Sequence, residues 1–217
     1  MPILDLSIPK AKNIFDLNFW ACISVIQAFI LLLTKAKDGA VIVNHTSAGS
    51  AIGIPFQSAY KASKAALAMF SEILRLELEG FDIKVVDLKT GGVKSNIFAN
   101  LTHGELPLGS IYNVARKDAD LVLAGEKLKS LKGVYCDSDI WAENVVSDLT
   151  KAKPPYQVWR GGQAWMERFA RFATVLPVWM FAGQLKKLTG LDDVTRKIQE
   201  SRLLEFAQEE ELGMKLA

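Results

Sequence analysis

Ser47, Tyr60, Lys64 and Asn18 are of types, and at spacings, that could act together on one carbonyl group. Tyr60 and Lys64 are four positions apart, which puts them on one face if they lie on a helix. Tyr60 follows Ser47 by 13 positions, and Asn18 sits in the preceding segment Phe15-Asp16-Leu17-Asn18. A ketone that accepts hydride develops negative charge on its oxygen and needs a proton donor and hydrogen bonds there. A tyrosine can donate, although its ordinary pKa is about 10. A neighbouring ammonium favours the phenolate and brings that value down. Lys64, one turn away, is placed to do so. Ser47, just beyond an apolar β-branched run, is where a ligand-facing hydroxyl is expected at the carboxyl end of a parallel strand.

Each residue also has a plainer reading. Tyr60 and Lys64 could be a solvated helix face, Ser47 could cap the loop that follows its strand, and Asn18 could be a buried amide satisfied by backbone. His45, two positions before Ser47, raises the thought of a serine hydrolase. The Gly-x-Ser-x-Gly elbow is absent, however, so a strand histidine without catalytic duty is favoured. His103 reads as an exposed loop residue. Lys94 and Arg116 could meet a substrate phosphate or simply be solvated. With two histidines and two cysteines (Cys22 and Cys136) at scattered spacing, neither a metal cluster nor a disulfide framework is expected.

The elements that must position these residues follow from periodicity. Ile14, Leu17, Ala21, Val25, Ala28 and Leu32 predict a helix from about Pro9 to Ala36. Ala40 to Asn44 predicts a buried strand. A small-residue loop spans Ser47 to Pro55, and a helix is predicted from about Gln57 to Glu79. Ile83 to Leu88 predicts a second parallel strand and Thr90-Gly91-Gly92 a turn. A loop over residues 97–112, helices near 114–130 and 139–152, and a strand at Tyr156 to Trp159 complete this part. Beyond Gly161-Gly162 the composition turns aromatic and apolar (Ala164 to Leu188), then charged and amphipathic from Asp192 onward.

Bulk composition excludes some classes of function. Lys and Arg number 26 against 24 Asp and Glu, a net charge of +2, so no basic surplus points to nucleic acid. Two cysteines fit a reducing compartment, and the first residues do not read as a signal peptide. Leu17 to Thr34 carries no charge over 18 positions, the lower limit for a membrane span. Asn18, Ser24 and Gln27 interrupt it, which favours a helix buried in a soluble core or interface. Trp165, Phe169, Phe172, Trp179 and Phe181, with Arg168, Arg171, Lys186 and Lys187, suggest an interfacial helix, a substrate lid or a dimer contact.

Asn44-His45-Thr46-Ser47 followed by Tyr60-Lys61-Ala62-Ser63-Lys64-Ala65-Ala66 resembles the active-site signature of short-chain dehydrogenases/reductases. Asn18 is similar to the fourth member of that family's tetrad. Thr90-Gly91-Gly92-Val93-Lys94-Ser95 resembles its Pro-Gly-x-Val-x-Thr segment, with Thr90 in place of proline and Ser95 in place of threonine. The resemblance implies Tyr60 as acid/base, Lys64 as the group that lowers its pKa, Ser47 as the orienter of the carbonyl oxygen, and Asn18 as support for a proton relay. It implies Asn18, Tyr60, Lys64, Val93 and Ser95 as cofactor-binding residues. Leu106 to Tyr112 and Val158 to Gly162 resemble fungal NADPH-dependent 1-acyldihydroxyacetone-phosphate reductase-like members, which makes NADPH/NADP the expected cofactor.

One departure is large. The family's opening Thr-Gly-x-x-x-Gly-x-Gly turn, whose backbone approaches the cofactor pyrophosphate, has no counterpart here. On the order of 80 residues are missing, at roughly 30 or more per βαβ unit. The expected fold is therefore α/β: a Rossmann-like parallel sheet with flanking helices, truncated at its amino-terminal side, over residues 1–162, with a helical extension over 163–217. Ala40–Asn44 becomes an edge strand, and helix faces that covered the lost half stand open. The sequence could be a fragment of a normal enzyme, an NADP(H)-dependent ketone reductase or alcohol dehydrogenase acting on a hydrophobic, lipid-like or secondary-metabolite substrate. Alternatively it is a non-redox pseudoenzyme or binding partner of a full-length relative. The expected partners are a hydrophobic carbonyl or alcohol, a second copy or a relative in a dimer, and peripheral contact with endoplasmic reticulum or lipid droplets from a cytoplasmic location.

Overall fold

The β-branched runs become the three strands of one parallel sheet in the computed structural model, which describes residues 1–96, 106–130, 133–164, 169 and 179–216. Strand β1 is Ala40–His45, β2 is Ile83–Thr90 and β3 is Gln157–Arg160, in the order β1-β2-β3. Ala40 pairs with Ile83 through to His45 with Leu88, and Asp87 pairs with Gln157 through to Thr90 with Arg160. Among the described residues β1 has β2 as its one neighbour, so the expected edge strand is present.

The helices are α1 (Ile8–Leu33), α2 (Ser58–Glu77), α3 (Arg116–Ala124), α4 (Glu126–Lys129), α5 (Ser138–Leu149), α6 (Trp179–Thr189) and α7 (Leu191–Leu216). Ser7 caps α1 by accepting from the Lys10 amide, and Pro9 lies in its first turn, where a missing N–H costs nothing. Within α1, Asp16–Trp20 forms a π turn between two α-helical stretches. Gly125 ends α3 in the left-handed conformation.

Three apolar clusters hold these elements. On one face of the sheet, Ile42, Ile83 and Val85 meet Ile26 of α1 and Leu74 of α2. On the other, Val86, Leu88 and Val158 meet Val145 of α5, flanked by Trp141 and Leu149. The third lies beyond the sheet, where Val194 of α7 packs with Leu106, Ala115, Ala119 and Val122. Val194 is fully buried, and a valine so placed contributes on the order of 1.5–3 kcal/mol. The two faces of β1 differ: Ile42 is buried, whereas Val41 and Val43 are 42% and 38% exposed.

The structure departs from the periodic reading in four places. The helix expected near 114–130 is split at Gly125 into α3 and α4. The strands run further than their apolar cores, to His45 and Thr90, because His45 Nε2 and Thr90 Oγ1 lie 2.7 Å apart and satisfy each other across the two strands. The third strand is displaced by one residue, to Gln157–Arg160. Helix α1 is long and apolar enough to cross a membrane by length and composition, with mean hydropathy 1.8, yet it is not a core helix. Only one side packs on the sheet, leaving Leu17, Trp20, Val25, Phe29, Leu31 and Leu32 exposed. His103, Trp165, Arg168, Arg171 and Phe172 lie outside the described residues.

Helix α5 is tied to β3 by Asp148, whose side chain is 7% exposed. Arg160 Nε and Nη2 donate to it at 2.7 and 2.6 Å, and Lys151 Nζ at 2.7 Å. Burial pushes this carboxyl up, but the hydrogen bonds from Lys151 and Arg160 outweigh burial and hold it below its ordinary value of 3.8. A carboxylate depressed in the folded state stabilises above its unfolded pKa, and the gain fades as pH falls through the folded value. Asp148→Asn is therefore expected to cost on the order of 2 kcal/mol at pH 7. That difference from the wild type should shrink as pH drops below about 4. Urea unfolding between pH 7 and pH 3 measures it, and a constant difference across that range would remove the assigned role.

Candidate active site

The polypeptide leaves β1 through Thr46 into a small-residue turn, Ala48–Ser50, and Ser47 stands at its start. Ser47 Oγ accepts from the Gly49 amide at 3.1 Å, and the Ser47 carbonyl accepts from the Ser50 amide at 2.8 Å. The capping role is thus realised. It uses an acceptor lone pair and leaves the Ser47 O–H available to donate. Both roles can be held by one hydroxyl.

Tyr60 and Lys64 lie on the first half of α2, both half-buried, as helical spacing requires. Lys64 Nζ reaches back to the sheet and donates to the carbonyl of His45 at 2.9 Å. Burial lowers the pKa of this ammonium, and the nearby Cys22 thiol works weakly in the opposite direction. Cys22 Sγ in turn donates to the Asn18 carbonyl at 3.6 Å. The His45 ring is stacked on Trp141 with centroids 5.8 Å apart. Its pKa is lowered, first by desolvation and then by Lys64. A ring so engaged, with Nε2 on Thr90, carries no hydrolase constellation.

Asn18 occupies the π turn of α1. Such turns widen the helix and are frequent at functional sites. Its Nδ2 donates to Ser63 Oγ at 3.1 Å, and Ser63 Oγ donates to the Tyr60 carbonyl at 2.7 Å. Ser63 is fully buried, so the amide of Asn18 links α1 to the turn of α2 that carries Tyr60. Lys64 thus meets the end of β1 where the Ser47 turn begins, and the Asn18–Ser63 bond ties α1 to the turn of α2 that holds the Tyr60 carbonyl. Lys94 instead pairs with Asp137 at 2.7 Å, with side chains 64% and 59% exposed, where water screens the pair. Arg116 is committed to the carbonyls of Leu106 and Pro107 and to Asn113 Oδ1.

Val93 and Ser95 follow the end of β2, and the backbone around Val93 is arranged on one side only. Cys136 donates its amide to the Gly92 carbonyl at 3.2 Å and accepts from the Lys94 amide at 2.9 Å. This bridge leaves the amide and carbonyl of Val93 pointing the other way, without a backbone partner among the described residues. A donor and an acceptor side by side fit the two ends of a carboxamide, the nicotinamide end of a dinucleotide. The pyrophosphate end requires a glycine-rich turn that these 217 residues do not contain.

Sequence reasoning missed several parts of this corner. Ser63 stood within the quoted signature without a role. Thr46, Ser50, Asp87 and Lys89 were passed over, although two charges alternating with apolar residues on a buried strand were a legible signal. Asp87 and Lys89 form an ion pair at 2.7 Å, both side chains less than a tenth exposed.

A family model described as short chain dehydrogenase matches residues 1–106. A short-chain dehydrogenase/reductase of Pestalotiopsis microspora is 42% identical over 202 residues, covering 92% of this chain and 67% of the relative. The NADPH-dependent 1-acyldihydroxyacetone phosphate reductase of Schizosaccharomyces pombe is 31% identical over 201 residues, covering 88% and 65%. Among solved structures, a short-chain dehydrogenase from Streptomyces avermitilis matches with a TM-score of 0.62 at 20% identity, over 90% of this chain and 65% of that one. One from Burkholderia cenocepacia in complex with NADP matches at 0.54 and 19% identity, over 82% and 64%. At such identities the two structures speak for the fold. The chain spans about two thirds of the length of the curated relatives it matches.

The bridge at Val93 depends on close approach of three backbones. A Cβ on Gly92 would lie 1.9 Å from the Val134 carbonyl oxygen, which cannot rotate away. Gly92→Ala is therefore expected to cost roughly 3 kcal/mol. Gly109→Ala, where an added Cβ meets nothing within 4 Å, should be nearly neutral. Urea unfolding of the two variants makes the comparison, and equal stabilities would refute the packing account.

Proposed function

The chain belongs to the short-chain dehydrogenase/reductase family, a family of oxidoreductases that use a nicotinamide dinucleotide, and from that premise we propose that it carries the catalytic part of an NADP(H)-linked ketone reductase or alcohol dehydrogenase. The observation that carries this reading is the 2.9 Å bond from Lys64 Nζ to the His45 carbonyl, which brings the Tyr60 helix and the Ser47 turn to one strand end. In this reading Ser47 donates its O–H to the substrate oxygen and Tyr60 gives or takes the proton at its hydroxyl. Lys64 supplies a positive charge one helical turn from Tyr60. Asn18 holds the Tyr60 turn through Ser63 and supports proton movement toward Lys64. Val93, through its amide and carbonyl, and Ser95 hold the carboxamide, beside Asn18, Tyr60 and Lys64. The dinucleotide, when bound, supplies or takes up hydride.

The relative from Schizosaccharomyces pombe, named as NADPH-dependent and as a reductase of an acylated ketone phosphate, supports NADP(H) and a lipid-like carbonyl substrate. Uncovered apolar residues on α1 and α2, among them Trp20, Met69, Ile73 and Leu76, support pairing with a second copy. The proposed location is cytoplasmic, with residues 164–188 touching endoplasmic reticulum or lipid droplets. Exposed Phe169 and Leu188 support this contact. The open edge of β1 favours a second reading, a non-redox binding partner of a full-length relative.

Calorimetric titration of the 217-residue chain with NADPH separates the two. Specific micromolar binding supports the reductase, and Tyr60→Phe should then keep binding while lowering ketone turnover about 1,000-fold. A folded chain that does not bind NADPH up to millimolar concentration is not a reductase by itself, and the second reading would take its place.

A further inference from the structure

Asp87 and Lys89 are two apart on β2, so their side chains share a face of the sheet. They are 6% and 4% exposed and form an ion pair at 2.7 Å. Each also holds the loop that carries Ser47. Thr46 Oγ1 donates to Asp87 Oδ1, one position before Ser47. Lys89 Nζ donates to Ser50 Oγ at 2.9 Å, three positions after it. The Trp159 ring, 5.4 Å from Lys89 Nζ, closes the other side of the ammonium. A buried ion pair of this kind is a poor source of stability, because well-packed apolar residues of similar volume serve as well or better. Two directional hydrogen bonds on either side of one serine are something an apolar pair cannot provide. The segment between them, Ala48-Gly49-Ser50, has no bulky side chain to fix itself by packing.

We infer that Asp87 and Lys89 are positioning residues, a buried charged clamp that sets where the Ser47 hydroxyl stands. The inference rests on the proposed catalytic duty of Ser47, but it is read out without cofactor or substrate. Hydrogen exchange followed by mass spectrometry on the amides of residues 46–51 gives the readout.

Asp87→Leu with Lys89→Met removes both charges together and should leave a cooperatively folded chain. Its loop should exchange about ten-fold faster than wild type, while exchange over 83–88 stays unchanged. Thr46→Val with Ser50→Ala leaves the ion pair intact and removes the loop's side of the clamp, with the same acceleration expected. Lys89→Arg keeps a cationic donor and should stay close to wild type. Wild-type loop exchange in either double variant, or Lys89→Arg as fast as the Asp87→Leu with Lys89→Met variant, would overturn the clamp. Ser47→Ala turnover tests the catalytic reading separately, so either can fail alone.

Discussion

Lys64 is a half-buried ammonium, and the arrangement of the site follows from how that charge is kept. Taking an ammonium out of water is unfavourable, which is why its pKa is lowered. The carbonyl of His45 meets it at 2.9 Å, and that carbonyl belongs to the last residue of β1. The bond therefore fixes the rotation of α2 about its own axis relative to the strand. Tyr60, one turn earlier, and Ser63, one residue earlier, take their places from the same constraint. With Ser63 placed, the amide of Asn18 has a partner, and the π turn of α1 is seated against α2.

The remaining polar groups at this end of the sheet obey the same logic of mutual satisfaction. His45 answers Thr90, Thr46 answers Asp87, and Lys89 answers Ser50. Each link joins β1 or its loop to β2, so the carboxyl ends of two strands are locked in register by side chains as well as by backbone. Below them, Asn44 bonds Ser71, which bonds the Leu67 carbonyl, so even the amide within β1 is accounted for. Buried polar networks are tolerable only when complete. The Trp141 Nε1 beside His45 is the exception, buried without a hydrogen-bond partner.

Helical and strand periodicity made the order of elements readable, because Ile26, Ile42, Leu74, Val85 and Val86 are apolar for the same reason that they are buried. The strand ends were less readable. Lys89 and Thr90 lie beyond the expected strand Ile83 to Leu88 until their partners Ser50 and His45 are known, and those partners lie far away in sequence. The four side chains of the signature were legible from spacing, but the bonds that hold them were not. Nothing in the sequence says that Lys64 chooses a carbonyl of the preceding strand, or that Asn18 reaches Tyr60 through Ser63. The docking of Val194 against Ala115 and Ala119 was hidden too, since small residues on short helices give weak periodicity.

The two edges of the sheet carry unequal burdens. At β3 the structure is closed by charge: Asp148 binds Arg160 of that strand and Lys151, and a bulky Trp159 lies against Lys89. At β1 the backbone edge has nothing beside it among the described residues, and Val41 and Val43 face outward. An edge rich in β-branched residues and free of charge is the kind that natural sheets pair, cover or blunt. Here none of the usual blunting devices is present, since residues 40–44 contain neither lysine nor proline. The strand is built like one from the interior of a sheet, and its apolar outer face stands without a neighbouring strand among the described residues.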